Sequence, residues 1–223
     1  HYHRNYNASD TTTANQSAKY GVDGQKLDAN PWGRAGYAFL GWSTDKNATK
    51  AEYSNQQSIS NDWIDTKYPN IHLYAVWKPY TLTVRYHNDG AQKWLSYANG
   101  DSEMNVEGKD VVETETVKYD AEYVHSEAGL LDVNRFTRKG YHDNGNWKIG
   151  SKTSTNKVKD AGGILPNSKG QGLATYLGVI NAFEKGDVTV DLYPEWIANT
   201  YTVKYNGNGE NSGTTPSSSH TYD

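Results

Sequence analysis

Arg34-Ala35-Gly36-Tyr37-Ala38-Phe39-Leu40-Gly41-Trp42 and Leu73-Tyr74-Ala75-Val76-Trp77 are the stretches from which the organisation of this chain is read. Their landmarks return downstream as Arg138-Lys139-Gly140-Tyr141, Trp147 and Leu192-Tyr193-Pro194-Glu195-Trp196. A unit copied along a chain signals a modular array that spaces or binds, rather than a single catalytic pocket.

The recurrence extends outward on both sides. Tyr80-Thr81-Leu82-Thr83-Val84-Arg85-Tyr86 and Tyr201-Thr202-Val203-Lys204-Tyr205 alternate as strands and run into Gly/Asn turns, and Tyr2-His3-Arg4-Asn5-Tyr6-Asn7 opens more loosely. Each opening leads to a Tyr element: Ala18-Lys19-Tyr20-Gly21, Val117-Lys118-Tyr119-Asp120 and His220-Thr221-Tyr222-Asp223. Leu27, Asn30 and Arg34 precede the first Gly-Tyr pair at the spacing that Leu131, Asn134 and Arg138 keep before the second. Ile71–Trp77 and Val188–Trp196 alternate as closing strands. Between the landmarks, Ser58–Ile64 and Leu173–Phe183 space apolar residues at helical intervals, so each unit reads as mainly β with one helix.

These boundaries give a first unit at 1–79, a second at 80–199 and the start of a third at 200–223. The joints Lys78-Pro79 and Ile197-Ala198-Asn199 are too short for free rotation, which predicts a semi-rigid rod. The second unit is longer, with extra residues at Ala91–Glu115 and Lys148–Gln171, and insertions on a repeat scaffold often carry binding. The absence of an initiator Met and the stop in mid-pattern read as a segment of a longer protein.

Composition narrows the function classes. Among 223 residues, 18 Tyr, 7 Trp and 3 Phe supply large apolar bodies although hydrophobic residues make up only 35%. A net charge of −4 without clustered Lys and Arg argues against nucleic acid as partner. With 0 Cys there are no disulfides, thiolate metal sites or cysteine nucleophiles. No apolar run is long enough to span a membrane, so no membrane insertion is expected of this segment.

The order of strand, Asn-Gly turn, Tyr-Gly, Leu, Asn, Arg-x-Gly-Tyr-x-Phe-x-Gly-Trp and Leu-Tyr-Ala-x-Trp resembles the Listeria–Bacteroides repeat family, which includes the internalin B-repeats. The resemblance covers essentially the whole chain and is strongest over Arg34–Trp42 and Leu73–Trp77. It implies an α+β fold of tandem β-grasp-like (ubiquitin-like) units, on secreted or cell-wall-attached bacterial surface proteins that act as stalks or adhesion modules. The second copy departs from the pattern at His142-Asp143-Asn144-Gly145-Asn146 and at Pro194-Glu195.

For individual residues the plain readings win. Trp42, Trp77, Trp147 and Trp196 recur at equivalent places, as packing residues do. Trp94 and Tyr97, in an insertion, are the candidate ligand contacts. The seven His show no metal-ligand spacing, Asp143–Asn146 and Asp89-Gly90 read as turns, and Gly170-Gln171-Gly172 reads as a helix entry. Glu113 and Glu115 alternate on one strand face and read as solvated charge. No catalytic, cofactor-binding or metal residues are expected. The sequence thus predicts a non-catalytic extracellular bacterial surface segment, a spacer that also offers an adhesion surface for a host or matrix protein or a glycan. The alternative is an accessory carbohydrate-binding module of a secreted glycan-degrading enzyme.

Overall fold

The computed structural model describes residues 1–60, 63, 70–96, 102–121, 135–159, 169–209 and 211–222, and the statements below concern these. They form two compact units. The first comprises His1–Thr81, Lys118–Asp120 and Ile180–Val188, and the second Leu82–Val117, Ala121–Val179 and Thr189–Asp223.

The first unit is built on a four-stranded sheet of β1 (Tyr2–His3), β2 (Thr13–Ala14), β3 (Tyr37–Ser43) and β4 (Leu73–Pro79), in the order β2-β1-β4-β3. The β1–β4 pair is parallel, and β1–β2 and β3–β4 are antiparallel. Tyr2, Leu27, Trp42, Leu73 and Ala75 form its buried core, with Trp32, Phe39, Tyr53, Ile59, Trp63 and Trp77 packed around them. β3 bulges between Phe39 and Gly41, which turns the Trp42 ring inward to complete burial. Only glycine fits at that bulge: Gly41 has φ of 135°, and a Cβ there would lie 2.3 Å from the Tyr53 carbonyl oxygen.

In the second unit β5 (Thr81–His87), β8 (Val112–Lys118), β10 (Tyr141–Ile149), β11 (Lys157–Lys159) and β12 (Val188–Ala198) make a five-stranded sheet, order β11-β10-β12-β5-β8. A three-stranded sheet, order β7-β6-β9, joins β6 (Lys93–Ser96), β7 (Ser102–Asn105) and β9 (Phe136–Thr137), and β13 (Thr200–Val203) pairs with β14 (Ser218–Thr221). Alternation on β5 buries Leu82, Val84 and Tyr86, while Trp147, Leu192 and the helical residues Leu173 and Ala174 are also fully enclosed. β10 repeats the bulge of β3: its register shifts between Asp143 and Trp147, around Gly145 at φ 73°. The one-residue-longer stretch in this copy still delivers its Trp to the interior.

The expected α+β array of β-grasp-like units with one helix each, laid out as a semi-rigid rod, is overturned. The described residues are mostly β, in several sheets with no closed barrel, and hold two short helices, Gly170–Tyr176 and Ile180–Phe183, rather than tandem units with a helix apiece. The reasons are local. Around Ser58 the backbone is committed elsewhere, because Leu27 N–H donates to Gln57 O (2.9 Å), Ile59 N–H donates to Gln25 O (2.8 Å) and Lys26 bridges Ser58. An extended pairing of this kind excludes a helix over 57–59, whatever the apolar spacing. Asn61, Asp62 and Ile64, the rest of that expected helix, lie outside the described residues except for Trp63. Downstream, the periodic run Leu173–Phe183 breaks at Gly178, whose left-handed φ of 72° ends the helix after its cap at Leu177. Leu131 and Asn134 also lie outside the described residues.

Candidate functional site

The repeated Arg-x-Gly-Tyr turn has one architecture in both places. In the first unit Gly36, at φ 78°, lies flat against the Tyr119 ring, so close that a Cβ would fall 2.2 Å from its carbons. Tyr37 meets Tyr119 edge-on at 6.2 Å, and Tyr37 OH donates to Asp120 Oδ2. The backbone closes the joint: Tyr80 N–H donates to Gly36 O (2.8 Å) and Tyr119 N–H to Tyr80 O (3.0 Å). In the second unit Gly140, at φ 79°, meets the Tyr222 ring at the same 2.2 Å, and Tyr141 meets Tyr222 edge-on at 5.7 Å. Asn199 N–H donates to Gly140 O (2.9 Å) and Tyr222 N–H to Asn199 O (2.9 Å). Two of the three Tyr elements therefore plug a glycine turn, while Tyr20 stands in solvent, 70% exposed.

Beside the first of these turns the chain forms an open pocket of about 250 Å³, lined by Asn5, Asn7, Arg34, Lys46, Asn47 and Trp77 with three alanines. That is just under the ~300–1,000 Å³ usual for drug-sized ligands, and suits one small polar group. Each wall has a local origin. Asn5 sits at φ 55°, a left-handed conformation that Asn tolerates better than most residues, and ends β1. Its Nδ2 donates to Lys46 O (3.0 Å) and Ala75 O (3.1 Å), which ties the turn after β1 to the loop after β3 and to β4. That loop is shaped by Asp45, which donates its N–H to Ser43 Oγ and accepts from Asn47 N–H. Trp77 is anchored by its indole N–H on Arg4 O (2.8 Å).

Arg34 is set by a cation–π stack. Its guanidinium lies 3.5 Å from the Tyr37 ring centre and 5.3 Å from that of Tyr6, and Arg4 covers Tyr6 at 4.3 Å. Arg4 has an anion of its own, because Nε and Nη2 grip the two oxygens of Asp10 at 2.9 and 3.0 Å. That grip holds the Asp10 carboxyl far below the usual carboxylate range. The Arg34 guanidinium has no hydrogen bond or ion pair among the described residues; burial pushes its pKa down, opposed by the charges of Asp120, Tyr6 and Asp10. Nearby amide groups are also unspent. The Asn5 Oδ1 and the whole Asn47 amide carry no bond among the described residues, and Asn7 uses only its oxygen, toward Ser9.

Trp94, expected as a ligand contact, lies on β6 opposite Met104 and Phe136, half-buried, with its ring 6.4 Å from that of Phe136. Tyr97 lies outside the described residues. Glu113 and Glu115 are half-buried rather than solvated. Tyr86 OH donates to Glu115 Oε2 (3.2 Å), and burial pushes the Glu113 carboxyl up to about 7, opposed only by the Trp94 indole. Neither Glu113 Oε2 nor Trp94 Nε1 completes a hydrogen bond of normal geometry. The two departures of the second copy compensate one another: Asn144 and Asn146 donate to Glu195 Oε2 at 2.7 and 2.9 Å, Lys157 pairs with Oε1, and the carboxyl is held well below its usual range.

Trp42 and Trp147 are fully buried, while Trp77 and Trp196 are half-buried, the latter donating to Asp89 O (3.2 Å). His1, His3 and His72 stack, and His3 bonds His72 at 2.8 Å, but among the described residues no group of His, Asp and Glu is arranged to hold a metal. On the face of the five-stranded sheet Arg85 grips both oxygens of Asp191 at 2.7 Å, and His87 shares one of them. The chain matches no family model, no curated protein and no solved structure.

Sequence reasoning passed over the pocket. Asn5, Arg34, Lys46 and Trp77 are scattered over seventy residues and share no spacing. The available signal was Arg34 itself, an arginine fixed at the head of a repeated turn.

Proposed function

We propose that the chain is a non-catalytic segment of an extracellular bacterial surface protein, a spacer that also carries an adhesion surface. The observation behind this reading is the twice-built Gly-Tyr joint, in which Tyr119 and Tyr222 plug equivalent glycines with near-equal geometry. Aromatic side chains spent this way serve packing, and among the described residues Asp10, Asp191 and Glu195 are committed to ion pairs with Arg4, Arg85 and Lys157. The Listeria–Bacteroides resemblance of Arg34–Trp42 points in the same direction.

Brief protease treatment of intact cells making the parent protein tests it. Peptides from residues 1–223 should be released without lysis; their appearance only after lysis would overturn the surface assignment. Reproducible turnover by the purified chain in a panel of polysaccharides and peptides would overturn the non-catalytic one. The amide-lined pocket keeps a second reading in play, an accessory carbohydrate-binding module of a secreted glycan-degrading enzyme. A glycosidase domain adjoining this segment in the parent would select it.

A further inference from the structure

We infer that the pocket beside Arg34 binds a single acidic sugar residue, its carboxylate on the Arg34 guanidinium and its hydroxyls on the amides of Asn5, Asn7 and Asn47. This goes beyond the spacer reading, which stands or falls on surface exposure and turnover and not on this pocket.

A half-buried cation without an anion is an unfavourable arrangement that a bound anion relieves. Arg34 is held flat on Tyr37, so its N–H fork is already oriented, and a planar fork matches a carboxylate with two parallel bonds. Of the acids acting on it, Asp120 accepts from Tyr37 OH and makes no ion pair with Arg34, and Asp10 has both oxygens on Arg4. Lys46 adds a second positive charge to the lining, its Nζ fixed by Ala8 O at 2.9 Å.

The amides supply the rest of the selectivity. Asn5 offers an acceptor, Asn7 a donor and Asn47 both, a mixture that suits the several hydroxyls of a sugar ring, each of which donates and accepts, better than the mainly accepting oxygens of phosphate. Trp77 closes one side with an apolar surface. About 250 Å³ leaves room for one ring and not for a chain, so an oligosaccharide would enter by its acidic end. The left-handed Asn5, a costly conformation held by two bonds, is the sort of local strain that accumulates at binding sites.

The full chain titrated by NMR with glucuronic acid, glucose and inorganic phosphate, and with an oligosaccharide ending in glucuronic acid, tests the assignment. Saturable shifts of the Trp77 indole and of the Asn5, Asn7 and Asn47 side-chain amides are expected with glucuronic acid; glucose, which lacks the carboxylate, should bind at least ~10-fold more weakly, about the value of one charge-assisted bond pair, and phosphate, which lacks the ring hydroxyls that meet the amides, at least ~10-fold more weakly as well. Tighter binding of the oligosaccharide would identify a glycan end as the source, and equal binding the free sugar acid. Arg34→Gln should weaken glucuronic acid at least ~10-fold and Arg34→Lys less, while Arg138→Gln, at the equivalent turn, should leave it unchanged. Each variant's melting curve separates lost binding from lost folding. Glucose or phosphate binding as well as glucuronic acid, equal affinity in a folded Arg34→Gln, or no saturation by about 20 mM, weaker than any useful sugar site, would overturn the assignment.

Discussion

The turns at Arg34-Ala35-Gly36-Tyr37 and Arg138-Lys139-Gly140-Tyr141 share a backbone, a glycine contact and a tyrosine plug, yet their surroundings differ. At the first, Tyr119 is 7% exposed, Arg34 is desolvated and a pocket opens beside it. At the second, Tyr222 is 37% exposed and Arg138 rests 4.1 Å from the Tyr141 ring, near Gly90. A shared turn thus fixes a shared joint, and the loops around it decide what else the site can do. In the first unit those loops are the turn after β1 and the loop after β3, joined through Asn5.

The largest expected effects test whether the two copies share their interior logic. Trp42→Ala and Trp147→Ala should each cost about 3–5 kcal/mol in urea melts, the range for emptying a buried aromatic site. Both rings are fully buried behind equivalent bulges, so a loss below about 1 kcal/mol at either position would break the equivalence.

Next come the glycines. An alanine at Gly36 or Gly140 must adopt a left-handed backbone, about 1–2 kcal/mol, and displace a tyrosine ring, about 1–3 kcal/mol more. The cost should be larger at Gly36, since Tyr119 is the more enclosed plug. Equal costs in melts of the two variants would show that the second plug is as tightly held as the first.

A smaller effect belongs to the second unit alone. Glu113 has a folded pKa of about 7, above the 4.5 of an unburied carboxyl, so the folded state holds its proton more firmly. Its contribution to stability is full below about pH 4.5 and is lost as the pH rises through 7. Because the group is only half-buried, solvent screening limits the loss to about 1 kcal/mol. Glu113→Gln should flatten stability between pH 5 and about 8, checked by urea melts across that range. An unchanged slope would place the carboxyl in solvent.

Much of the strand pattern was legible because it is written locally. Alternation marks β4, β5 and β12, the Gly-Tyr pairs mark turns, and recurrence marks Trp42 and Trp147 as interior. Helical spacing at Leu173–Phe183 does mark the region of the two short helices, but the spacing at Ser58–Ile64 carries no record of the backbone bonds from Leu27 and Ile59 that hold residues 57–59 extended. Nor could spacing show that Glu113 is buried beside Trp94, or that Asn144 and Asn146 answer Glu195 some fifty residues on. The pocket was hidden for the same reason, since its parts meet only through long-range pairing of β1 with β4 and of β4 with β3.

The central claim is that the glycine of each repeated turn is required by the tyrosine ring lying on it. A double-mutant cycle on the intact chain tests it most directly, combining Gly36→Ala with Tyr119→Ala and, separately, Gly140→Ala with Tyr222→Ala. With the ring gone, the added methyl should cost only its backbone strain, so each pair should show a coupling of about 1–3 kcal/mol in urea melts. Additive losses in both cycles, with coupling below about 0.5 kcal/mol, would mean that the rings do not rest on the glycines and would contradict the shared joint.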